Sequence, residues 1–273
     1  VQVIKEGKKG TATLIASLPA LLSFLNDGQR EGLSYAGPDL IEHASFEGKD
    51  LDMRKSFVRW NDPSLGNCFT FNHINASSRY DTRQTGPRGG LKVRVNTEPH
   101  EYEPWVDTVG VNVYIHPIGT ELYLESNKYT SRPGGFDDIL VQKSQYTRER
   151  SMTSSCATGR ASAQSFYFSG EYTVDGCFRS CYQDAVYKAC GCMDPTYVRR
   201  PGARSCSFIE LSCVFNVTRT RGDPYYWPEC TCSPPCQQVQ YQFSGSRAVL
   251  ASLSRVLGSI GGVAGMLLGV SIV

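Results

Sequence analysis

Gly176-Cys177-Phe178-Arg179-Ser180-Cys181 and Cys230-Thr231-Cys232-Ser233-Pro234-Pro235-Cys236 are the stretches on which the fold of this chain turns. Cys177 and Cys181 are four residues apart. On an α-helix, positions i and i+4 share a face, so both sulfurs point at one neighbouring segment, and that segment must supply two cysteines. Cys230 and Cys232 are the obvious candidates, followed by Pro234-Pro235-Cys236, a rigid extended run.

Working outward, 10 of the 11 cysteines lie between Cys156 and Cys236, and only Cys68 stands apart. Such a block is a disulfide framework or a metal cluster. The pairs Cys190-Gly191-Cys192 and Cys230-Thr231-Cys232 lack the two-residue gap typical of structural zinc, so disulfides are expected and a metal site is not. The sequons Asn75-Ala76-Ser77 and Asn216-Val217-Thr218 would accept glycans at Asn75 and Asn216 and agree with an oxidising, extracytoplasmic setting.

The 273 residues are 40% hydrophobic and 20% charged, which suits one large domain or two smaller ones. A net charge of +2 from balanced acids and bases gives no patch for a phosphate backbone, so nucleic acid is not an expected partner. His43, His73, His100 and His116 have no nucleophile or carboxylate at motif spacing, and no phosphate loop or dinucleotide fingerprint is present. Neither catalytic residues nor a cofactor are expected. Glu101, Glu103 and the pair Asp137-Asp138 read as solvated loop charges.

The chain begins at Val1 and stops at Val273 within an apolar run, and so reads as a fragment. The stretch from Lys8 to Leu25 looks like a signal peptide, but Pro19 interrupts it and no cleavage site follows; a buried globular helix is expected. Residues 26 to 70 carry turn signals at Asn26-Asp27-Gly28, Gly37-Pro38 and Asn61-Asp62-Pro63. Leu91 to Val95 and Val109 to Ile115 alternate with β-branched residues and read as strands with one buried face, and Ser165-Phe166-Tyr167-Phe168 is strand-like. Residues 256 to 273 form 18 residues without a charge, just reaching the length of a membrane span. Gly261, Gly265 and Gly269 recur on one helical face, which packs closely against other helices or lines a narrow passage.

Four separate elements together resemble the epithelial sodium channel, degenerin and acid-sensing ion channel family. They are Gly66-Asn67-Cys68-Phe69-Thr70-Phe71-Asn72; Gly176 to Cys181 with Ala189-Cys190-Gly191-Cys192; Cys230 to Cys236; and Gly258-Ser259-Ile260-Gly261-Gly262 through Gly269-Val270-Ser271. The resemblance implies an α+β fold, namely a disulfide-rich extracellular domain with a β-sheet palm and a helical thumb, followed by the start of a transmembrane helix. Residues 1-155 would hold the finger, palm and knuckle parts and residues 156-236 the stapled thumb. Residues 237-255 would be a short connection, and residues 256-273 the start of the second transmembrane helix with its selectivity element.

That resemblance also implies the pairing Cys156-Cys236, Cys177-Cys232, Cys181-Cys230, Cys190-Cys213 and Cys192-Cys206, with the partner of Cys68 lying in a region this chain lacks. Ala44 and Leu51 stand where the family often has another cysteine pair, and the family usually places further palm strands where only Gln237 to Arg255 intervenes. The acidic clusters of proton-gated members are not evident, with His116-Pro117 and Asn216 in their neighbourhoods, so acid gating is not expected. The implied function is a subunit of a trimeric, amiloride-sensitive, sodium-selective cation channel, ligand or mechanically gated, at the plasma membrane with most of the chain extracellular. Its partners would be sodium ions, related subunits in a homo- or hetero-trimer, and the lipid bilayer. Gly269, Val270 and Ser271 would form the selectivity filter, and Gly258 would be a gating position at the outer pore. The alternative is a secreted or receptor-like disulfide-rich binding module without conduction.

Overall fold

The computed structural model describes residues 18–84, 86, 89–102, 109–123, 126–150 and 155–249. A helical stretch over residues 18–22 leads into α1 (Asp27–Gly32), α2 (Gly37–Leu40), β1 (Ile41–Phe46), β2 (Lys49–Asp50) and α3 (Met53–Ser56). Strands β3 (Phe57–Asp62), β4 (Gly66–Phe71), β5 (Leu91–Val95), β6 (Val111–Tyr114), β7 (Lys128–Ser131) and β8 (Gly135–Thr147) follow. Helices α4 (Val174–Cys190) and α5 (Leu211–Arg221) come next, and β9 (Gln237–Val249) is the last element among the described residues. Among the described residues these strands pair antiparallel, in the groups β2-β1-β5, β3-β4, β6-β7 and β8-β9. The chain is thus α+β, with helices concentrated in the cysteine-rich block.

Several sequence signals take a different form in three dimensions. Asn26-Asp27-Gly28 is the start of α1 rather than a loop turn: Asn26 accepts from the Gln29 backbone N–H, and the Gln29 side chain accepts from that of Asn26, closing a capping box. Asp62-Pro63 does turn the chain, with Asp62 Oδ1 accepting from the amides of Ser64 and Leu65 between β3 and β4. Leu91 and Val93 were expected to be buried, yet each is 39% exposed, because β5 is the edge strand of its sheet. The strand-like Ser165 to Phe168 pairs with no strand and runs along α4 instead, where the Tyr167 amide donates to Ser180 Oγ. Of the expected buried helix between Lys8 and Leu25, residues up to 17 lie outside the described residues; in the remainder Ala20 is buried, whereas Leu18 and Leu21 are exposed.

Among the described residues three apolar clusters form the core. One joins Ile41, Ala44 and Phe57, with Leu51 and Phe71 packed against it, so Ala44 and Leu51 touch the same cluster and the Leu51 amide donates to the Ala44 carbonyl. The largest lies between α4 and α5 and contains Val186, Leu211, Val214, Val217 and Trp227 together with Cys192, Cys206 and Cys230. A third links Ala157, Tyr172 and Cys177 at the foot of the block.

The span expected as a short connection is for the most part a single long strand. Thirteen residues of β9 pair with thirteen of β8, from Thr147↔Gln237 to Gly135↔Val249. Among the described residues no helix is long and apolar enough to cross a membrane, and residues 256-273 lie outside them.

Candidate functional site: the stapled helices, their strap and the strand joint

Helix α4 begins where Thr173 Oγ1 accepts from the Gly176 amide, with Asp175 in the first turn, and it ends at Gly191, whose φ of 69° an ordinary side chain would resist. Gly176 is required by packing: a Cβ there would fall 2.7 Å from the Phe166 ring and 2.8 Å from the Tyr123 hydroxyl. Because Cys177 and Cys181 share one face, they bond to Cys232 and Cys230. Cys190 bonds to Cys213 on α5, Cys192 to Cys206, and Cys156 to Cys236. These are the five pairings that the resemblance implies.

A buried polar cluster fixes the turn after α4. Gln183 is fully buried; its Nε2 faces the carbonyls of Asp194 (2.9 Å), Val198 (3.1 Å) and Tyr197 (3.3 Å), while its Oε1 accepts from the Asp194 amide. Tyr182 donates to Asp194 Oδ2 at 3.1 Å, and burial, then the Asp194 charge, push its phenol upward. Satisfied networks of this kind select one arrangement, since any slip leaves buried polar groups unpaired. The Arg179 guanidinium lies 4.4 Å from the ring centre of Tyr123 and 4.9 Å from that of Tyr197, a cation–π sandwich tying α4 to the segment ahead of β7.

Residues 230 to 236 form a strap that is bonded to α4 by two disulfides and runs directly into β9. At its lower end the Ala157 amide donates to the Pro234 carbonyl, the Cys236 amide to the Ala157 carbonyl, and the Arg148 amide to the Cys236 carbonyl. Tyr172 donates its hydroxyl to the Ser233 carbonyl at 2.8 Å. A cleft of about 890 Å³ opens beside this foot, lined in part by Tyr123, Tyr172, Gln145 and Val239. His116 also lines it, and burial lowers its pKa below the ordinary 6.5.

The far end of β9 carries a joint that sequence reading missed. Asp137, read as a solvated loop charge, lies in β8 with a side chain only 6% exposed. It accepts from Tyr129 (2.9 Å) and Ser131 of β7 and pairs with Arg247 of β9 at 3.2 Å. Arg247 also donates to the carbonyls of Arg132 and Pro133. Burial opposes the Asp137 charge, but the Ser131 and Tyr129 hydroxyls and the guanidinium outweigh it and hold the carboxyl below its ordinary 3.8. Two glycines make room. A Cβ on Gly245 would fall 2.1 Å from the Tyr129 ring, and one on Gly135 would fall 2.5 Å from the Arg247 guanidinium. Glycines in two facing strands are the signal that could have marked this close approach.

The remaining site residues are placed as follows. Asn75 is exposed in the turn after β4, and Asn216 is exposed on α5. Cys68 is a free thiol in β4 opposite Trp60, and burial, then Asp62, push its pKa to about 12. Gly258, Gly269, Val270 and Ser271 lie outside the described residues. Among the described residues no group of side chains is arranged to hold a metal ion, and every cysteine of the block is in a disulfide.

A disulfide-rich α+β domain whose stapled helices feed one long strand ribbon is the class that fold and site define. Residues 18–254 match the amiloride-sensitive sodium channel family, and the chain belongs to that family. Relatives include degenerin mec-10 of Caenorhabditis elegans, 29% identical over 85% of this chain and 32% of its own length. Degenerin mec-4 of Caenorhabditis briggsae is 30% identical over 89% of this chain and 32% of its own length. The degenerin-like protein asic-1 of Caenorhabditis elegans is 24% identical over 81% of this chain and 27% of its own length. The chain therefore spans about a third of the length of the curated relatives it matches. The family matched is one of sodium channels, not of enzymes.

Proposed function

We propose that this chain is the extracellular and outer-pore part of a sodium-channel subunit that assembles as a homo- or hetero-trimer with related subunits in the plasma membrane. The observation that carries the reading is the family match over residues 18–254. Residues 1-155 supply the finger, palm and knuckle parts, residues 156-236 the thumb, and residues 256-273 the beginning of the pore helix within the bilayer. Conduction then requires no chemistry. Gly269, Val270 and Ser271 bring backbone carbonyls or a hydroxyl close to the axis, where they replace water around a sodium ion. Gly258 sits at the outer mouth, where added bulk alters opening, and amiloride acts as a blocker.

Gating follows from the strap. A ligand or a mechanical load that moves α4 and α5 moves residues 230 to 236 with them, because Cys177–Cys232 and Cys181–Cys230 prevent sliding. Cys156–Cys236 marks the fulcrum, and β9 carries the displacement past the Asp137–Arg247 joint to residue 249. Only bistable, rigidly connected elements convert small shifts into such a transition. Voltage-clamp recording of the complete gene product, alone and with related subunits, tests the reading. The expected result is an amiloride-blocked inward sodium current whose open probability changes in Gly258→Trp. Absence of current in every combination, or currents that Gly258→Trp leaves unaltered, would count against it.

A further inference from the structure

Helix α5 buries Leu211, Val214 and Val217 against α4 and turns a second apolar set outward. Phe208 is 64% exposed, Ile209 84% and Phe215 52%. Residues 207 to 210 wind into the helix, with the Glu210 amide bonded to the Ser207 carbonyl and Ser212 Oγ to the Ile209 carbonyl, so the helical spacing extends back to Ile209. At 100° per residue Ile209, seven residues back, lies about 20° to one side of Asn216, and Arg219 and Phe215 lie about 60° and about 100° to the other, so Asn216 sits near the centre of the outward face. Side chains on a helix lean toward its N-terminus, so whatever Asn216 carries lies over Ser212, Ile209 and Phe208. The Asn216 carboxamide makes no hydrogen bond among the described residues.

We propose that Asn216 carries an N-linked glycan whose first sugars cover this face of α5, so that the exposed apolar set is a saccharide-shielded surface rather than a protein-docking one. The step is a glycosyl transfer from a polyprenyl-diphosphate-linked oligosaccharide. The Asn216 Nδ2 attacks the anomeric carbon, the bond from that carbon to the diphosphate oxygen breaks, and a C–N bond forms. One amide proton is lost and the polyprenyl diphosphate leaves. The flat apolar faces of N-acetylglucosamine rings pack on aromatic and aliphatic side chains, while their hydroxyls face water.

Timing follows from Thr218. Its hydroxyl, which the sequon offers to the transferase, is taken up in the folded chain by the Val214 carbonyl at 3.2 Å and by Tyr182 Oη at 3.2 Å. Transfer therefore precedes docking of α5 onto α4.

The test is site-specific glycopeptide mass spectrometry on the complete gene product made in secretory cells, with detergent gel filtration and hydrophobic-dye binding of wild type, Asn216→Gln and Asn216→Gln/Ile209→Ser/Phe215→Ser. The expected results are an occupied Asn216, loss of monodispersity with a gain of dye binding in Asn216→Gln, and recovery of both in the triple variant. All substituted positions are exposed, so these changes leave the core intact. An unmodified Asn216 overturns the proposal. So does an Asn216→Gln protein with unchanged dye binding and monodispersity, because the glycan would then shield nothing.

Discussion

Asp137 is the residue on which the strand joint depends. Tyr129 and Ser131 reach it from β7 and Arg247 from β9, so one carboxylate ties two strand pairs together. Asp137→Asn keeps the shape but removes the charge that pairs with Arg247. A cost of about 1–3 kcal/mol is expected, read as a drop in denaturation midpoint. Because its pKa lies below 3.8 in the folded chain, the carboxylate contributes above that pH and the contribution is lost as pH falls through the folded value. The stability gap between wild type and Asp137→Asn is thus expected at neutral pH and should close in strong acid. A gap that persists in strong acid would remove the carboxylate from the joint. Gly245→Ala, which forces a methyl into the Tyr129 ring, is expected to cost about 1–3 kcal/mol by overpacking and to shift the Tyr129 fluorescence environment. None of this was legible from Asp137-Asp138 in isolation. The partners come from a strand pair whose register is set over more than a hundred residues, and only Gly135 and Gly245 hint at it.

At the scale of elements, the stapled block was the most legible part, for a physical reason. The i, i+4 placement of Cys177 and Cys181 fixes both a helix and the side it presents, and Pro234-Pro235 fix an extended partner. Local patterns elsewhere were less decisive. Ser165 to Phe168 has the composition of a strand, yet its aromatic side chains find α4 instead of another strand, and Asn26 caps a helix with a residue type that equally favours turns. The strap account assigns different weights to different disulfides. In the loop-entropy picture, opening Cys192–Cys206, which spans 14 residues, costs roughly 3 kcal/mol; opening Cys156–Cys236, whose 80-residue span is shortened to about 25 by the intact Cys177–Cys232 bond, costs roughly 3.5 kcal/mol. Paired serine variants measured under non-reducing denaturation check these values. Only the second is expected also to uncouple α4 from β9, seen as faster hydrogen exchange at Cys236 and along Gln237 to Tyr241.

At the scale of the molecule, the family was readable because three distant elements within the matched residues 18–254 carry its signature together, an agreement hard to reach by chance. The order of the strands was not readable, because antiparallel pairing in β8 and β9 leaves little local trace beyond alternation. The central claim is that this domain gates a sodium-selective pore lined by Gly269, Val270 and Ser271. The measurement that addresses it most directly is the reversal potential of the complete gene product under sodium and potassium gradients, compared with that of Gly269→Ala and Ser271→Ala. The account predicts a sodium-selective reversal potential in the wild type and a shift toward the potassium value in both variants. Reversal potentials that both substitutions leave unchanged, in a channel that still conducts, would contradict it.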